Sequence, residues 1–111
     1  MPRKEKSPAI RFDGAIEEER LPEAWDAANE LPMLGLGRAL RLTMLVAKDH
    51  HRRFEPTARR FLERFIREEK PSIEQVKKVA DGLNEIYRAH PLIAIDAWQG
   101  MRGLAEQLER R

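Results

Sequence analysis

The stretch Leu40-Arg-Leu-Thr-Met-Leu-Val-Ala47 decides the fold. Residues that recur at intervals of three and four share one side of a helix, and here they are Leu36, Leu40, Thr43, Met44 and Ala47. Leu42, Leu45 and Val46 widen that apolar arc, and a helix that is apolar most of the way round belongs in a protein interior. The sequence therefore predicts a helix over residues 37–48 that is central to the core.

Four other segments show the same helical spacing and flank this central one. They cover residues 21–32, 54–69, 73–87 and 91–108. The third of these has the clearest start, because Ser72 and Gln75 form a capping-box pair just before its first apolar residue. No segment alternates apolar and polar residues with the period of two that is typical of a strand. The predicted fold class is all-α, a compact bundle of four to five helices with a mobile N-terminal tail.

The N-terminal segment, residues 1–20, differs from the rest of the chain in composition. It carries several charges, two prolines and few large apolar side chains, which are Ile10, Phe12 and Ile16. So few apolar side chains bury too little surface to offset the entropy lost on ordering. We expect residues 1–20 to form a flexible charged tail, with Ile10 and Phe12 available as local anchors. Residues 21–111 should form a single helical domain, a size that one core can support.

Charge is sorted along the chain although the net charge is only +2. Residues 1–12 carry a net +3, residues 13–30 a net −6 and residues 38–67 a net +6. The chain has no cysteine, which excludes disulfides, thiolate zinc sites and cysteine nucleophiles. The basic N-terminus lacks the apolar run of an export signal, and the charge-free residues 31–37 are far fewer than the roughly 20 of a membrane span. We expect a cytoplasmic protein that has no membrane partner.

Candidates for catalysis are few. Ser72 is occupied as a helix cap, and His51 with Glu55 has the i, i+4 spacing of a ligand pair but is better explained as part of a solvated loop. Gly35 and Gly37 lack the third glycine and the preceding strand of a dinucleotide-binding loop. We therefore expect no catalytic residue, no metal site, no cofactor and no enzymatic activity.

Four arginines line the outer side of the third predicted helix, residues 54–69. Arg53, Arg60, Arg64 and Arg67 fall within about 60° of one another on a helical wheel, and the row would be about 21 Å long. This arginine stripe is suited to contact with nucleic acid or an acidic protein partner. The alternative is a solvated face that the acidic residues 13–30 neutralise by folding over it. The stripe's length depends on the helix start, because Pro56 fits a first turn but would kink a helix that began near Asp49.

A sequence pattern spans residues 40–65. The run Leu40-Arg-Leu-Thr-Met-Leu-Val-Ala47 is followed by Arg53-Phe-Glu55, Ala58, Arg60-Phe-Leu62 and Arg64-Phe65. It resembles a group of small bacterial all-helical proteins whose pattern is ALxLTxLLA, then RFExxAxRWLxRF. Phe61 stands where that group has tryptophan. The resemblance implies an all-helical fold and carries no activity with it.

These features favour a non-enzymatic helical module that binds a protein partner or associates with itself. Self-association is plausible because Trp25, Met33 and Leu34 exceed what so small a core can cover. The alternative function is a nucleic-acid-binding accessory protein that uses the arginine stripe. The basic residues of the tail, Arg3, Lys4, Lys6 and Arg11, would assist it. Such binding would weaken steeply with salt.

Overall fold

The computed structural model describes residues 6–89 and 94–110. Its helices are α1 (Pro8–Glu17), α2 (Leu21–Glu30), α3 (Leu36–Lys48), α4 (Phe54–Glu69), α5 (Ile73–Arg88) and α6 (Ile95–Glu109). The all-α class is confirmed, since the described residues contain no strand. A radius of gyration of 13.7 Å is that of a compact chain of this length. The prediction of four to five helices is wrong, because six are present in the described part of the chain.

The additional helix, α1, lies in the segment that the sequence assigned to a tail. The Ser7 hydroxyl caps it by accepting a hydrogen bond from the backbone N–H of Ile10 (3.2 Å), and Pro8 suits its first turn. Phe12 is fully buried. One aromatic anchor is enough here because α1 packs along α2, across the boundary expected at residue 20. Residues 1–5, the rest of the expected tail, lie outside the described residues.

Helix α3 is the centre of the molecule, as its apolar arc predicts. It contacts each of the five other helices, and nine of its residues are buried. One of the nine, Thr43, is polar, and its hydroxyl donates a hydrogen bond to the backbone carbonyl of Ala39 (2.8 Å). The buried hydroxyl therefore needs no partner on another helix.

Helices α3 and α6 approach each other so closely that Gly37 has no room for a side chain. A Cβ at this position would lie 2.7 Å from the backbone oxygen of Ala105. Next to this contact, the Arg41 guanidinium donates two hydrogen bonds to Glu109, of 2.7 and 3.0 Å. The beginning of α3 and the end of α6 are thus joined by backbone packing and by an ion pair.

Helices α1 and α2 form a hairpin whose backbone packs against α3 among the described helices. Its acidic residues make two ion pairs with α3. The Arg38 guanidinium binds Asp13 through two hydrogen bonds (2.9 and 3.0 Å), and Lys48 binds Glu19. The acidic segment 13–30 therefore docks against the basic side chains of α3.

Two local predictions about helix starts can be compared with the structure. Helix α4 begins at Phe54, so Pro56 stands in its first turn and causes no kink further along. The capping box at the start of α5 is confirmed, with Ser72 and Gln75 joined by hydrogen bonds of 2.8 and 3.1 Å. The predicted start at Pro91 lies outside the described residues. No described helix combines the length and the apolar character needed to cross a lipid bilayer.

Candidate interaction face

The arginine stripe is carried by α4, which is continuous over its 16 residues. Arg60, Arg64 and Arg67 lie on the helix at spacings of four and three, which places them on one side. Arg53 is the N-cap residue, immediately before the first helical turn. The structure therefore keeps the four residues together as a row, but their side chains have different surroundings.

Arg64 is the most constrained of the four. Its guanidinium donates one hydrogen bond to the backbone oxygen of Leu34 (2.7 Å) and another to the Glu68 carboxylate (2.8 Å). The hydrogen bond from Arg64 lowers the pKa of Glu68 below its ordinary value. Because the side chain of Arg64 is only 24% exposed, its charge is largely used inside the molecule, where it ties the α2–α3 linker to α4.

Arg53 makes the second link between α4 and the N-terminal hairpin. Its guanidinium carbon lies 5.8 Å from the centre of the Trp25 ring on α2, a cation–π geometry. The backbone N–H of Arg53 donates to Nδ1 of His51 (3.1 Å), and the His51 ring is 5.7 Å from Trp25. His51 is thus part of the packing between α2 and the start of α4.

Arg60 and Arg67 project into solvent. Both are exposed, and neither has a hydrogen bond or an ion pair with a described residue. The hypothesis that the acidic segment neutralises the stripe is not supported by the contacts of that segment. Its ion pairs go to α3, to Arg11 of α1 and, between Glu18 and Arg20, to the segment itself. At these two positions the row carries positive charge that forms no ion pair or hydrogen bond with a described residue, although the charge of Arg67 helps Arg64 to lower the pKa of Glu68.

The α2–α3 linker, residues 31–35, brings an apolar element to the same region. Met33 is 76% exposed, one of the most exposed large apolar side chains in the described part of the chain. The neighbouring Leu34 is half-buried and holds Arg64 through its carbonyl. The apolar residues that suggested self-association and the arginines that suggested a binding surface therefore meet. We call this surface the α2–α4 face: Trp25, Met33, Leu34, Arg53, Arg60, Arg64 and Arg67.

A cleft that the sequence analysis missed opens beside α3. This cleft of about 900 Å³ has α1 on one side and α6 on the other, and its lining includes Glu17, Met44, Leu45, Trp98 and Arg102. No sequence signal pointed to it, because its residues come from separate helices and share no spacing. Asp13 raises the pKa of Arg38 by accepting its hydrogen bonds, and Glu109 raises the pKa of Arg41 in the same way. These four lining charges are therefore matched within the molecule.

Several polar residues and glycines, among them candidates weighed for chemistry, have structural roles in the fold. Ser72 caps α5, and Glu68 binds Arg64. Gly35 and Gly37 start α3, where close packing against α6 accounts for Gly37. His50 donates from Nδ1 to the backbone oxygen of Tyr87 (2.7 Å), because a carbonyl can only accept. Within residues 6–89 and 94–110, no group of three or more acidic or histidine side chains is arranged to hold a metal ion.

Comparison with models of known protein families, with curated protein sequences and with solved structures finds no match to this chain. The likeness of residues 40–65 to a bacterial group accordingly remains a resemblance. Any functional conclusion rests on the surface chemistry described above.

Proposed function

We propose that this protein is a non-enzymatic helical interaction module that docks a protein through the α2–α4 face. One observation carries the proposal. The arginines of α4 contact apolar residues that are distant in sequence at two places: Leu34, next to the exposed Met33, and Trp25 on α2. The first contact is the hydrogen bond from Arg64 to Leu34, and the second is the cation–π contact of Arg53 with Trp25.

The composition of this face is typical of protein interfaces. Aromatic residues, methionine and arginine are enriched where proteins meet, and tryptophan and arginine are frequent among the residues that dominate binding energy. Here Trp25 is held in place by Arg53 and His51 before any partner arrives. Because an ordered side chain loses little conformational entropy on binding, this contact favours association. Met33 adds a flexible apolar side chain that can adapt to a partner.

The charge of the face selects the partner's chemistry. Arg60 and Arg67 are separated by two helical turns, about 10 Å along the axis. A partner segment that presents carboxylates at this spacing next to an apolar side chain would match both guanidiniums and Met33. We infer that the module binds acidic amphipathic protein surfaces.

The proposal is tested with two probes of protein binding. Sedimentation velocity over a range of concentrations reports self-association, and fluorescence anisotropy reports binding of a labelled helical peptide built from glutamate and leucine. The double variant Met33→Asp with Arg60→Glu should weaken whichever association the parent shows by about tenfold or more, as loss of roughly 1.4 kcal/mol implies.

The matched control makes the same two changes away from the face. Ile73→Asp with Arg88→Glu alters an 87% exposed isoleucine and an exposed arginine on α5, and it should bind as the parent does. The proposal is wrong if the parent neither self-associates nor binds the peptide, or if both double variants lose binding equally.

Nucleic-acid binding is the second candidate function. It is favoured by the exposed guanidiniums of Arg60 and Arg67, which form no ion pair with a described residue. Arg11, one of the basic residues expected to assist, is instead bound to Glu30. If Arg60 and Arg67 are the main phosphate contacts, the logarithm of the binding constant should fall with that of the salt concentration with a slope of about −2. Titration of a labelled DNA duplex at low and moderate salt tests this, and absence of binding at low salt rejects it.

A further inference from the structure

Two charged side chains that line the cleft beside α3 have no partner among the described residues. Glu17 lies on the α1 wall and Arg102 on the α6 wall, and both are exposed. Neither makes an ion pair or a hydrogen bond, either with the other or with a third described residue. The guanidiniums of Arg38 and Arg41 differ, since each is bound by a carboxylate of the same molecule. The two walls of the cleft therefore present opposite charges that no described residue engages.

The position of Glu17 along the cleft follows from two ion pairs between α3 and the N-terminal hairpin. Arg38 near the start of α3 binds Asp13, and Lys48 at the end of α3 binds Glu19. Helix α1 therefore runs along α3 in the same general direction. Glu17 comes between Asp13 and Glu19 in the chain, so it lies between these two ion pairs, along the middle part of α3.

Arg102 has a corresponding position on the opposite wall. Helix α6 runs antiparallel to α3, because Gly37 lies against Ala105 whereas the Lys48 ammonium lies 5.3 Å from the centre of the Trp98 ring. Arg102 comes between Trp98 and Ala105, four residues after Trp98, so these two side chains share one side of α6. Both of them line the cleft. Arg102, like Glu17, therefore flanks the middle part of α3.

A small zwitterion with an apolar body is complementary to this arrangement. A guanidinium binds a carboxylate through paired hydrogen bonds, and a carboxylate accepts hydrogen bonds from an ammonium group. Ile16 and Trp98 are half-buried and line the cleft, one on each wall, so they offer apolar surface beside the two charges. The volume of about 900 Å³ lies within the range of about 300–1,000 Å³ that is usual for small-molecule sites. The cleft therefore has room for a large side chain on the ligand.

We propose that the cleft binds a free amino acid with a large apolar side chain, whose carboxylate pairs with Arg102 and whose ammonium pairs with Glu17. This site shares no residue with the α2–α4 face, so the inference goes beyond the proposed function and does not depend on it. Helices α1 and α6 do not pack against each other among the described residues. A ligand held by both walls therefore joins the N-terminal hairpin to α6.

Blocking one charge of the ligand at a time tests the proposal. Isothermal titration calorimetry compares leucine and phenylalanine with N-acetylleucine, which lacks the ammonium group, and with leucinamide, which lacks the carboxylate. Each blocked analogue should bind at least about fivefold more weakly than leucine, because it loses a hydrogen-bonded pair of opposite charges. The proposal is overturned if neither amino acid binds at millimolar concentrations, or if both analogues bind as well as leucine does.

Substitutions in the protein identify which side chain binds which charge. Glu17→Gln should weaken binding of leucine and leucinamide but not of N-acetylleucine, which has no ammonium group to lose. Arg102→Gln should weaken binding of leucine and N-acetylleucine but not of leucinamide. Both positions are exposed, so the variants should keep the fold of the parent, which circular dichroism checks. Variants that discriminate among the three ligands as the parent does overturn the assignment of the two residues.

The matched control removes the same two charges away from the cleft. Glu74→Gln and Arg88→Gln alter exposed side chains of α5, neither of which lines the cleft, and each should bind leucine as the parent does. Equal losses in the control and cleft variants overturn the site. Hydrogen exchange gives a second readout, since leucine should protect α1 more than α5, and equal protection contradicts a ligand that joins α1 to α6.

The outcomes separate this inference from the proposed function. A parent that self-associates or binds the acidic peptide, but binds neither amino acid, overturns the cleft site and leaves the interaction module standing. A parent that binds leucine through Glu17 and Arg102 but docks no protein supports the cleft site and overturns the module.

Discussion

The N-terminal hairpin, α1 and α2, and the four-helix unit, α3 to α6, are held in place by different forces. The buried residues of the hairpin are mostly small: Phe12, Ala15, Leu21, Ala24 and Ala27. The four-helix unit instead buries three phenylalanines on α4 alone, together with large aliphatic residues from every other helix. Large buried side chains contribute most of the hydrophobic stabilisation, so we expect the unit to supply the larger part of it.

The hairpin buries fewer large side chains, and it is also attached to α3 by ion pairs. Its attachment through Asp13 and Glu19 is partly exposed, whereas the α3–α6 junction relies on backbone contact at Gly37. Exposed ion pairs are weak and are screened by salt, while close packing is not. The hairpin should therefore open more readily than the unit. Since the α2–α4 face spans both regions, the strength of this attachment also sets how well the face is formed.

The largest expected effect comes from removing the anchor of the hairpin. Phe12→Ala should lower the free energy of unfolding by about 3–5 kcal/mol, because a fully buried aromatic side chain is lost and a cavity is left. Native-state hydrogen exchange should show α1 and α2 losing more protection than α4 to α6. The control Ile10→Ala, at a position that is 60% exposed, should change little. Equal loss in all helices would show that the two regions open together.

The next effect concerns the four-helix unit. Gly37→Ala should lower the free energy of unfolding by about 1–3 kcal/mol, because the added Cβ meets the backbone of α6 and the helices must move apart. In the control Gly100→Ala, no atom lies within 4 Å of the new Cβ. Because alanine has a higher helix propensity than glycine, this variant should raise the free energy of unfolding by up to about 1 kcal/mol. Urea denaturation measures both. A neutral Gly37→Ala variant would contradict the close approach.

A smaller effect is expected at the ion pair between the two regions. Asp13→Asn removes the charge that Arg38 binds and should cost about 0.5–1 kcal/mol at low salt, and less at high salt. Glu55→Gln is the control, because Glu55 pairs with Arg59 within α4 and is 81% exposed. That change should cost less than Asp13→Asn. Urea denaturation at two salt concentrations measures both variants. Equal losses of stability in the two variants would contradict the prediction.

The smallest effect is the pH dependence of the hairpin. Hydrogen bonds from Arg11 lower the pKa of Glu30 below its ordinary value of about 4.5. A carboxylate with a lowered folded-state pKa contributes stability above its unfolded pKa and loses that contribution as pH falls through the folded value. Glu30→Gln should therefore flatten the decline in stability below about pH 4.5. Urea denaturation at pH values on both sides of about 4.5 measures this, and an acid slope that Glu30→Gln leaves unchanged would contradict it.

Local features were the most predictable from the sequence. The spacing of apolar residues predicts the central position of α3, and the pairing of Ser72 with Gln75 predicts the start of α5, because both depend on neighbouring residues. Helix α1 was missed for the opposite reason. Its stability depends on one phenylalanine that becomes buried only when α2 and α3 are present.

The positions of the arginines in the candidate site were predictable from the sequence, but their contacts were not. Helical spacing placed Arg60, Arg64 and Arg67 on one side of α4, but it could not show that Arg64 is taken by Glu68 and Leu34. Likewise, charge sorting indicated that the acidic segment would meet basic residues. It could not indicate that α3, rather than the arginine stripe, supplies them.

By itself, the sequence determined the helical class, the buried centre at α3 and the row of arginines, since periodicity acts over a few turns of one helix. Tertiary structure alone decided that Leu34 of the linker contacts Arg64 of α4 and that Trp25 lies against Arg53. These contacts join residues about thirty positions apart. Their geometry follows from how helices pack, which no local pattern encodes.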